Sequence, residues 1–241
     1  MYEYEMASVY DLVYRGRGKD FRGEVEQIMD VVRARTTGVA SLLDVACGTG
    51  EHLRYLRESV PHVEGLELSE PMLRVAGEKL PSVPLHHADM RTFELAGTFD
   101  VVTCLFSSVG YMETVDELVS ALGRMTAHLA PGGVLLVDPW WFPERFLDGY
   151  VAGDVVRDES RTVARVARST REGGATRVEA HYLLADDGGV RHFTDTQLIT
   201  LFDRDDYLGA FRRAGCDAVH LEERLSPRGL FVGTRPGVGR T

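Results

Sequence analysis

The seven residues Asp44-Val-Ala-Cys-Gly-Thr-Gly50 lie between an apolar run and a segment of helical periodicity. A glycine turn in that position leaves the chain few architectures. Glycines between a strand and a helix let a ligand approach the backbone closely and let the helix N-terminus point at it. Apolar runs at 41–46, 63–68, 83–88, 99–106 and 133–138 alternate with helical patterns at 51–59, 70–80 and 113–129. Alternation of this kind, with nearly all-apolar strands, predicts a parallel sheet covered on both faces. Ser69 and Pro71 mark the start of the second helix, and Pro131-Gly132-Gly133 the stop of the third. The first forty residues read as helical and lie upstream of the sheet.

After Trp141 the pattern changes. Residues 154–169, 175–185 and 190–202 read as three longer, half-polar strands with turns at Glu172-Gly-Gly and Asp186-Asp-Gly-Gly. No helix separates them, so they predict an antiparallel meander, spanning 150–202, inserted into one domain that runs over 1–241. A short helix at 203–214 and two strands at 217–224 and 228–234 complete the sheet, and Arg235–Thr241 reads as a loose tail.

Charge and cysteine usage narrow the function. A net charge of -10 argues against a non-specific nucleic-acid coat, which needs a basic field. Cys47, Cys104 and Cys216 are far apart and form no CxxC pair. That fits free thiols in a reducing cytoplasm rather than disulfides, and no cluster predicts a metal. Met1-Tyr-Glu-Tyr-Glu carries acids where a signal peptide carries bases, and no apolar run is long enough to span a bilayer. The expectation is a soluble cytoplasmic protein with no nucleic-acid or membrane partner.

The glycine turn is not that of a dinucleotide fold, because the third position of G-x-G-x-x-G is Leu53. Asp44 precedes the glycines, where it repels a pyrophosphate and suits an ammonium-bearing ligand. Glu67 ends the next strand, placed for a ribose diol, and Asp89-Met90 ends the third, suited to an adenine. Together these features resemble the class I S-adenosylmethionine-dependent methyltransferases. That resemblance implies an α/β, Rossmann-like fold of seven strands in the order 3-2-1-4-5-7-6, strand 7 antiparallel. It implies S-adenosylmethionine as cofactor and an N-terminal helical lid (1–40) carrying Tyr14 and Arg17. Arg17 is expected at the methionyl carboxylate, and Asp44 or the backbone of Ala46 and Gly48 at its ammonium. Gly50, Glu67, Leu68, Asp89, Met90 and Leu105 complete the expected cofactor set. Asp138-Pro-Trp-Trp141 also resembles the D-P-P-[YFW] motif of nucleic-acid amino-methyltransferases, but it ends the fifth strand instead of the fourth and reads as coincidence.

Longer stretches resemble a narrower family, the N-methyltransferases that dimethylate thymidine-diphosphate amino sugars of macrolide-type antibiotics. They include Arg17-Gly-Lys-Asp20, Phe106-Ser-Ser-Val-Gly-Tyr111, Pro139-Trp-Trp-Phe-Pro-Glu144 and Ala175-Thr-Arg-Val-Glu-Ala-His181, and the likeness runs from about 10 to 232. It implies a homodimer, a meander that forms part of the sugar-nucleotide pocket, and two successive methyl transfers to the amine of a dTDP-3-amino-deoxyhexose. Tyr10, Tyr14, Trp140, Trp141, Arg145, Arg165, Arg177, His181, Ser226 and Arg228 are the expected substrate residues. Each aromatic could instead be core, and each arginine a solvated surface group. Arg177, Glu179 and His181 share one strand face and Val178, Ala180 and Tyr182 the other; the resemblance favours the first set facing the sugar or diphosphate. Tyr111 and His181 are the candidates to carry a proton away. The alternatives are a methyltransferase for another amine or hydroxyl, and a non-catalytic S-adenosylmethionine-binding module.

Overall fold

The computed structural model describes residues 4–237. Two helices, α1 (Tyr4–Gly16) and α2 (Phe21–Arg33), precede an alternating run: β1 (Ser41–Val45), α3 (Glu51–Leu56), β2 (His62–Glu67), α4 (Glu70–Lys79), β3 (Leu85–His87), β4 (Phe99–Cys104), a 3-10 turn (Ser108–Tyr111), α5 (Val115–Ala127) and β5 (Leu129–Val137). Four antiparallel strands follow, β6 (Tyr150–Arg157), β7 (Thr162–Glu172), β8 (Ala175–Asp186) and β9 (Gly189–Thr200), and then α6 (Arg204–Arg213), β10 (Asp217–Leu221) and β11 (Leu230–Thr234). The large sheet has the order β10-β11-β5-β4-β1-β2-β3, with β11 antiparallel to both neighbours. This is the predicted seven-stranded arrangement.

Local chemistry sets the boundaries. The Ser69 hydroxyl accepts the Met72 N–H at the start of α4, Thr114 caps α5, and Asp203 and Asp206 form a reciprocal capping box on α6. Apolar side chains fill both faces of the sheet, with Leu43, Val102 and Leu135 in one layer and Leu42, Val101 and Leu136 in the other. A third cluster joins Met6, Val9 and Val13 of α1 to Val163, Ala167, Ala180 and Tyr182 of the meander.

The structure departs from the sequence reading in three places. Residues 154–169 are two strands, because Asp158 reverses the chain between them. Its Oδ1 accepts the N–H groups of Ser160 (2.9 Å) and Arg161 (2.8 Å), and its Oδ2 takes the Arg161 guanidinium at 2.7 Å. An aspartate does here what the glycine turns do elsewhere. Pro131-Gly132-Gly133 lies inside β5 instead of ending α5, which stops at Ala127. A Cβ on Gly133 would sit 2.9 Å from the Ala130 carbonyl oxygen and 3.0 Å from that of Asp100, so β4 and β5 meet where only glycine fits. Arg235, the start of the expected loose tail, is fastened: its N–H donates to the Gly133 carbonyl at 3.0 Å. Residues 238–241 of that tail lie outside the described residues. Among the described residues no helix is long and apolar enough to cross a membrane.

Candidate functional site

A cavity of about 850 Å³ lies where the C-terminal ends of β1, β2 and β4 face α1 and the meander. Ala46, Gly48, Glu67, Leu68, Asp89 and Met90 line its sheet end. Glu67 organises this end: its Oε2 accepts the Gly48 N–H (3.0 Å), and its Oε1 those of Leu68 (2.9 Å) and Ser69 (2.8 Å). A carboxylate accepts about four hydrogen bonds, so about one position is left for a ligand hydroxyl. Gly48 has φ +57 and nothing within 4 Å of where a Cβ would stand, so the turn leaves its inner side open. Ala46, Phe106 and Ser107 also hold positive φ, at 58, 56 and 66. Strained non-glycine residues at the ends of the neighbouring strands β1 and β4 point to backbone shaped for a ligand. Asp89 is gripped by Arg91, whose Nη2 lies 2.6 Å from its Oδ2, and this holds the carboxyl below the usual range.

Three residues expected at the cofactor sit beneath the wall and do not line the cavity. Asp44 is 2% exposed and accepts a 2.6 Å hydrogen bond from the Thr103 hydroxyl on β4. Burial pushes its carboxyl up to about 6. Gly50 serves helix packing: a Cβ there would stand 2.8 Å from Leu80 Cδ1 and 3.3 Å from Ala76 Cβ. Leu105 is buried core.

Helix α1 crosses over this end. Asp11 accepts the Thr49 hydroxyl at 2.5 Å and an ion pair from Lys79 at 2.5 Å, and Arg15 pairs with Glu51 at 2.5 Å. Tyr10, Tyr14, Phe106 and Tyr111 all line the cavity. Tyr14 stands at 4.6 Å from Tyr10 and edge-on to Phe106 at 4.8 Å, between ring centroids. Burial raises the Tyr14 phenol to about 12 and Tyr10 well above its ordinary value, so both are protonated donors at neutral pH. Arg17 lines the cavity but is paired with Asp154 at 2.9 Å.

The far wall carries Trp140, Trp141, Arg145, Arg165 and Arg228. Trp140 donates its indole N–H to Thr176 at 3.2 Å. Arg228 stacks against both indoles, 5.6 and 5.5 Å from their centroids, donates Nε to the Pro139 carbonyl at 2.8 Å, and pairs with Asp138 at 3.4 Å. It orients the indoles and is not a free fork. Arg145 donates to the Pro227 carbonyl at 3.1 Å.

Arg177, His181 and Ser226 are not on the cavity wall. Arg177 and His181 lie on the outer face of the meander, beside Glu179, with His181 stacked on His192. The inner face carries Val178, Ala180 and Tyr182. The reason is burial: α1 covers the apolar face of β8, and the charged face goes to solvent. Ser226 lies in a separate surface groove with Gln27 and Glu223. Sequence reasoning missed Asp195, Tyr182 and Gln197 on the inner face. The apolar alternation of β8 marks that face, and the strand register then brings Asp195 onto it opposite Ala180.

The donor set fits an adenosyl sulfonium carrying an amino acid. The turn is open at Gly48, Glu67 keeps an acceptor for a diol, and a carboxylate lies beneath the turn for an ammonium. Among the described residues no group of His, Cys, Asp or Glu could hold a metal ion.

Comparison with known proteins agrees with this geometry. A methyltransferase-domain family model matches residues 42–133. The chain is 54% identical to the dTDP-3-amino-3,4,6-trideoxy-alpha-D-glucopyranose N,N-dimethyltransferase of Streptomyces venezuelae, over 97% of this chain and 99% of the relative. It is 48% identical to the dTDP-3-amino-3,6-dideoxy-alpha-D-glucopyranose N,N-dimethyltransferase of Streptomyces fradiae, over 100% and 94%. Among solved structures it matches an amino pentose methyltransferase of Micromonospora echinaspora with S-adenosylmethionine bound, at 54% identity and TM-score 0.86, covering 94% of this chain and 96% of the other.

Proposed function

We infer the reaction from the family: the chain belongs to the dTDP-amino-sugar N,N-dimethyltransferases. It is an S-adenosylmethionine-dependent N-methyltransferase that dimethylates the amine of a dTDP-3-amino-deoxyhexose, a precursor of an antibiotic sugar. Both relatives act on a 3-amino sugar. The observation that carries the reading is one continuous cavity joining the Gly48–Glu67–Asp89 end to the meander and to the tryptophans that follow β5.

S-adenosylmethionine supplies the electrophilic methyl when bound. Glu67 receives the ribose diol, Asp89 and Met90 the adenine, and the Ala46–Gly48 backbone the ammonium, with the buried Asp44 carboxyl beneath that turn adding a negative field. Tyr14 and Arg17 hold the lid over it. A free amine is already a good nucleophile, so the chain must mainly align nitrogen with methyl and exclude water. Tyr14, Phe106 and Tyr111 close off water at the end of β4. The Asp195 carboxylate on β9 accepts the amine N–H, turns the lone pair toward the methyl, stabilises the positive charge that grows on nitrogen and takes the proton that the methylated ammonium must shed before the second transfer. His181 faces away and plays no part. Trp140 and Trp141 offer the nucleotide a flat surface.

The protein acts as a homodimer, paired through the outer face of the meander, where Val151, Val155, Val166 and Leu183 stand exposed among Arg177, Glu179 and His181. Three free, buried cysteines suit the cytoplasm.

Purified protein incubated with S-adenosylmethionine and a dTDP-3-amino-deoxyhexose should yield the dimethylated sugar by mass spectrometry. Transfer to free amines or phenols, with none to any nucleotide amino sugar, is the contrary result.

A further inference from the structure

Paired residues on neighbouring antiparallel strands share a face, so the inner surface of the meander is built in rows. Ala152, Ala167, Ala180 and Asp195 form one row across all four strands. Asp154, Arg165, Tyr182 and Phe193 form the next. Three methyl side chains in line leave a trough, with Arg165 standing at its flank and Asp195 at its end.

Arg165 is 7% exposed. Its Nε donates to the Tyr182 hydroxyl at 3.1 Å, but its Nη1 is buried with no hydrogen-bond partner. Its cross-strand neighbour Asp154 is in the ion pair with Arg17. No carboxylate among the described residues forms a salt bridge with Arg165, whereas Arg17, Arg91 and Arg228, which line the same cavity, each have at least one. A buried guanidinium lacking both an anion and a full set of acceptors is unfavourable in the free protein. A ligand that brings the missing oxygens removes that penalty, and a guanidinium fork matches phosphate oxygens.

We propose that Arg165 is the receptor for the diphosphate of the nucleotide sugar, whose hexose lies along the alanine trough with its amine toward Asp195. This rests on the reading of the substrate as a nucleotide amino sugar. It distinguishes Arg165 from Arg145 and Arg228, which are held by backbone carbonyls and, for Arg228, by Asp138. Arg165 and Asp195 are two strand spacings apart across the sheet and two residues apart along it, about 12 Å between Cα atoms, and the long arginine side chain narrows that span to one a hexose with its anomeric phosphate fills. A competing anion is the methionyl carboxylate of the cofactor, which the test separates.

Thymidine diphosphate and S-adenosylhomocysteine are titrated calorimetrically into wild type, Arg165→Met and Arg165→Lys, and each apo protein is melted. The expected result is roughly 10- to 100-fold weaker thymidine diphosphate binding by Arg165→Met, partial recovery in Arg165→Lys, and unchanged S-adenosylhomocysteine affinity. The apo Tm of Arg165→Met should equal or exceed that of wild type, because a ligand-binding group is removed and no internal ion pair is broken. A Tm several degrees lower marks a structural role and overturns the proposal. So does unchanged thymidine diphosphate binding, or a loss confined to S-adenosylhomocysteine. If wild type itself binds no thymidine diphosphate, the reading of the substrate fails and the proposal with it.

Discussion

The two ends of the cavity are built on different principles. At the sheet end the backbone does the work: the Gly48 turn, the amides that orient Glu67 and the strained Ala46 and Phe106 are fixed by the ends of β1, β2 and β4. On the meander the work falls to side chains selected by strand parity, where Arg165 and Asp195 face in and Arg177 and His181 face out. A backbone site demands particular residues at particular spacings. A side-chain site on a sheet demands only the right face, and many sequences supply that.

The comparison breaks most visibly at Gly48. Gly48→Val places a branched side chain in the open space of the turn, at a φ of +57 that itself costs about 1–2 kcal/mol. S-adenosylmethionine binding should fall by roughly 100-fold or more by calorimetry, more than a single lost polar contact explains. Thymidine diphosphate affinity should stay within about twofold, since the meander lies apart from the turn. A parallel loss of both affinities would show that the two ends are not separable.

Asp195→Asn probes the other end. The amide keeps the shape and loses the charge, so kcat should drop by roughly 10- to 100-fold, in the range for one lost electrostatic stabiliser or less. S-adenosylmethionine affinity should be unchanged. An unaltered kcat removes Asp195 from the chemistry.

Asp44 predicts a pH dependence belonging to the sheet end alone. Its buried carboxyl, raised to about 6, must ionise to supply a negative field to an ammonium held on the turn above it. S-adenosylhomocysteine affinity should therefore be flat above pH 6 and weaken below it, by up to about tenfold per pH unit. The folded-state value lies above the unfolded one, so the ligand-free protein should gain stability as pH falls from about 6 toward 4. Asp44→Asn should abolish both trends, and thymidine diphosphate binding should not follow the same curve.

The smallest effect is expected at Arg177. On the outer face, 42% exposed and near Glu172 and Glu179, it should tolerate alanine with less than about a twofold change in KM for the nucleotide sugar. A large rise in KM would put the outer face at the substrate.

The same contrast explains what could be read from residues alone. The glycine turn, Glu67 and Asp89 mark the sheet end because each must stand at a strand terminus; the alternation gave a parallel sheet, and the strand order came from the resemblance to class I methyltransferases. The meander existed in the pattern, but its inner face did not. Period-two alternation on β8 separates Arg177, Glu179 and His181 from Val178, Ala180 and Tyr182 without saying which set meets α1. The apolar set does, as burial requires, and it carries the polar exceptions Arg165 and Asp195 inward by register. The Asp158 reversal was hidden because it uses a side-chain turn without glycine.

The account stands on the claim that the meander binds a nucleotide-linked sugar while the sheet end binds the methyl donor. The direct measurement is kcat/KM for methyl transfer to a dTDP-3-amino-deoxyhexose against the same amino sugar without its nucleotide. Binding energy from the remote diphosphate should make the nucleotide-linked sugar better by roughly 100-fold or more. Equal values for the two acceptors would contradict the assignment of the meander and return the protein to the methyltransferases of simple amines.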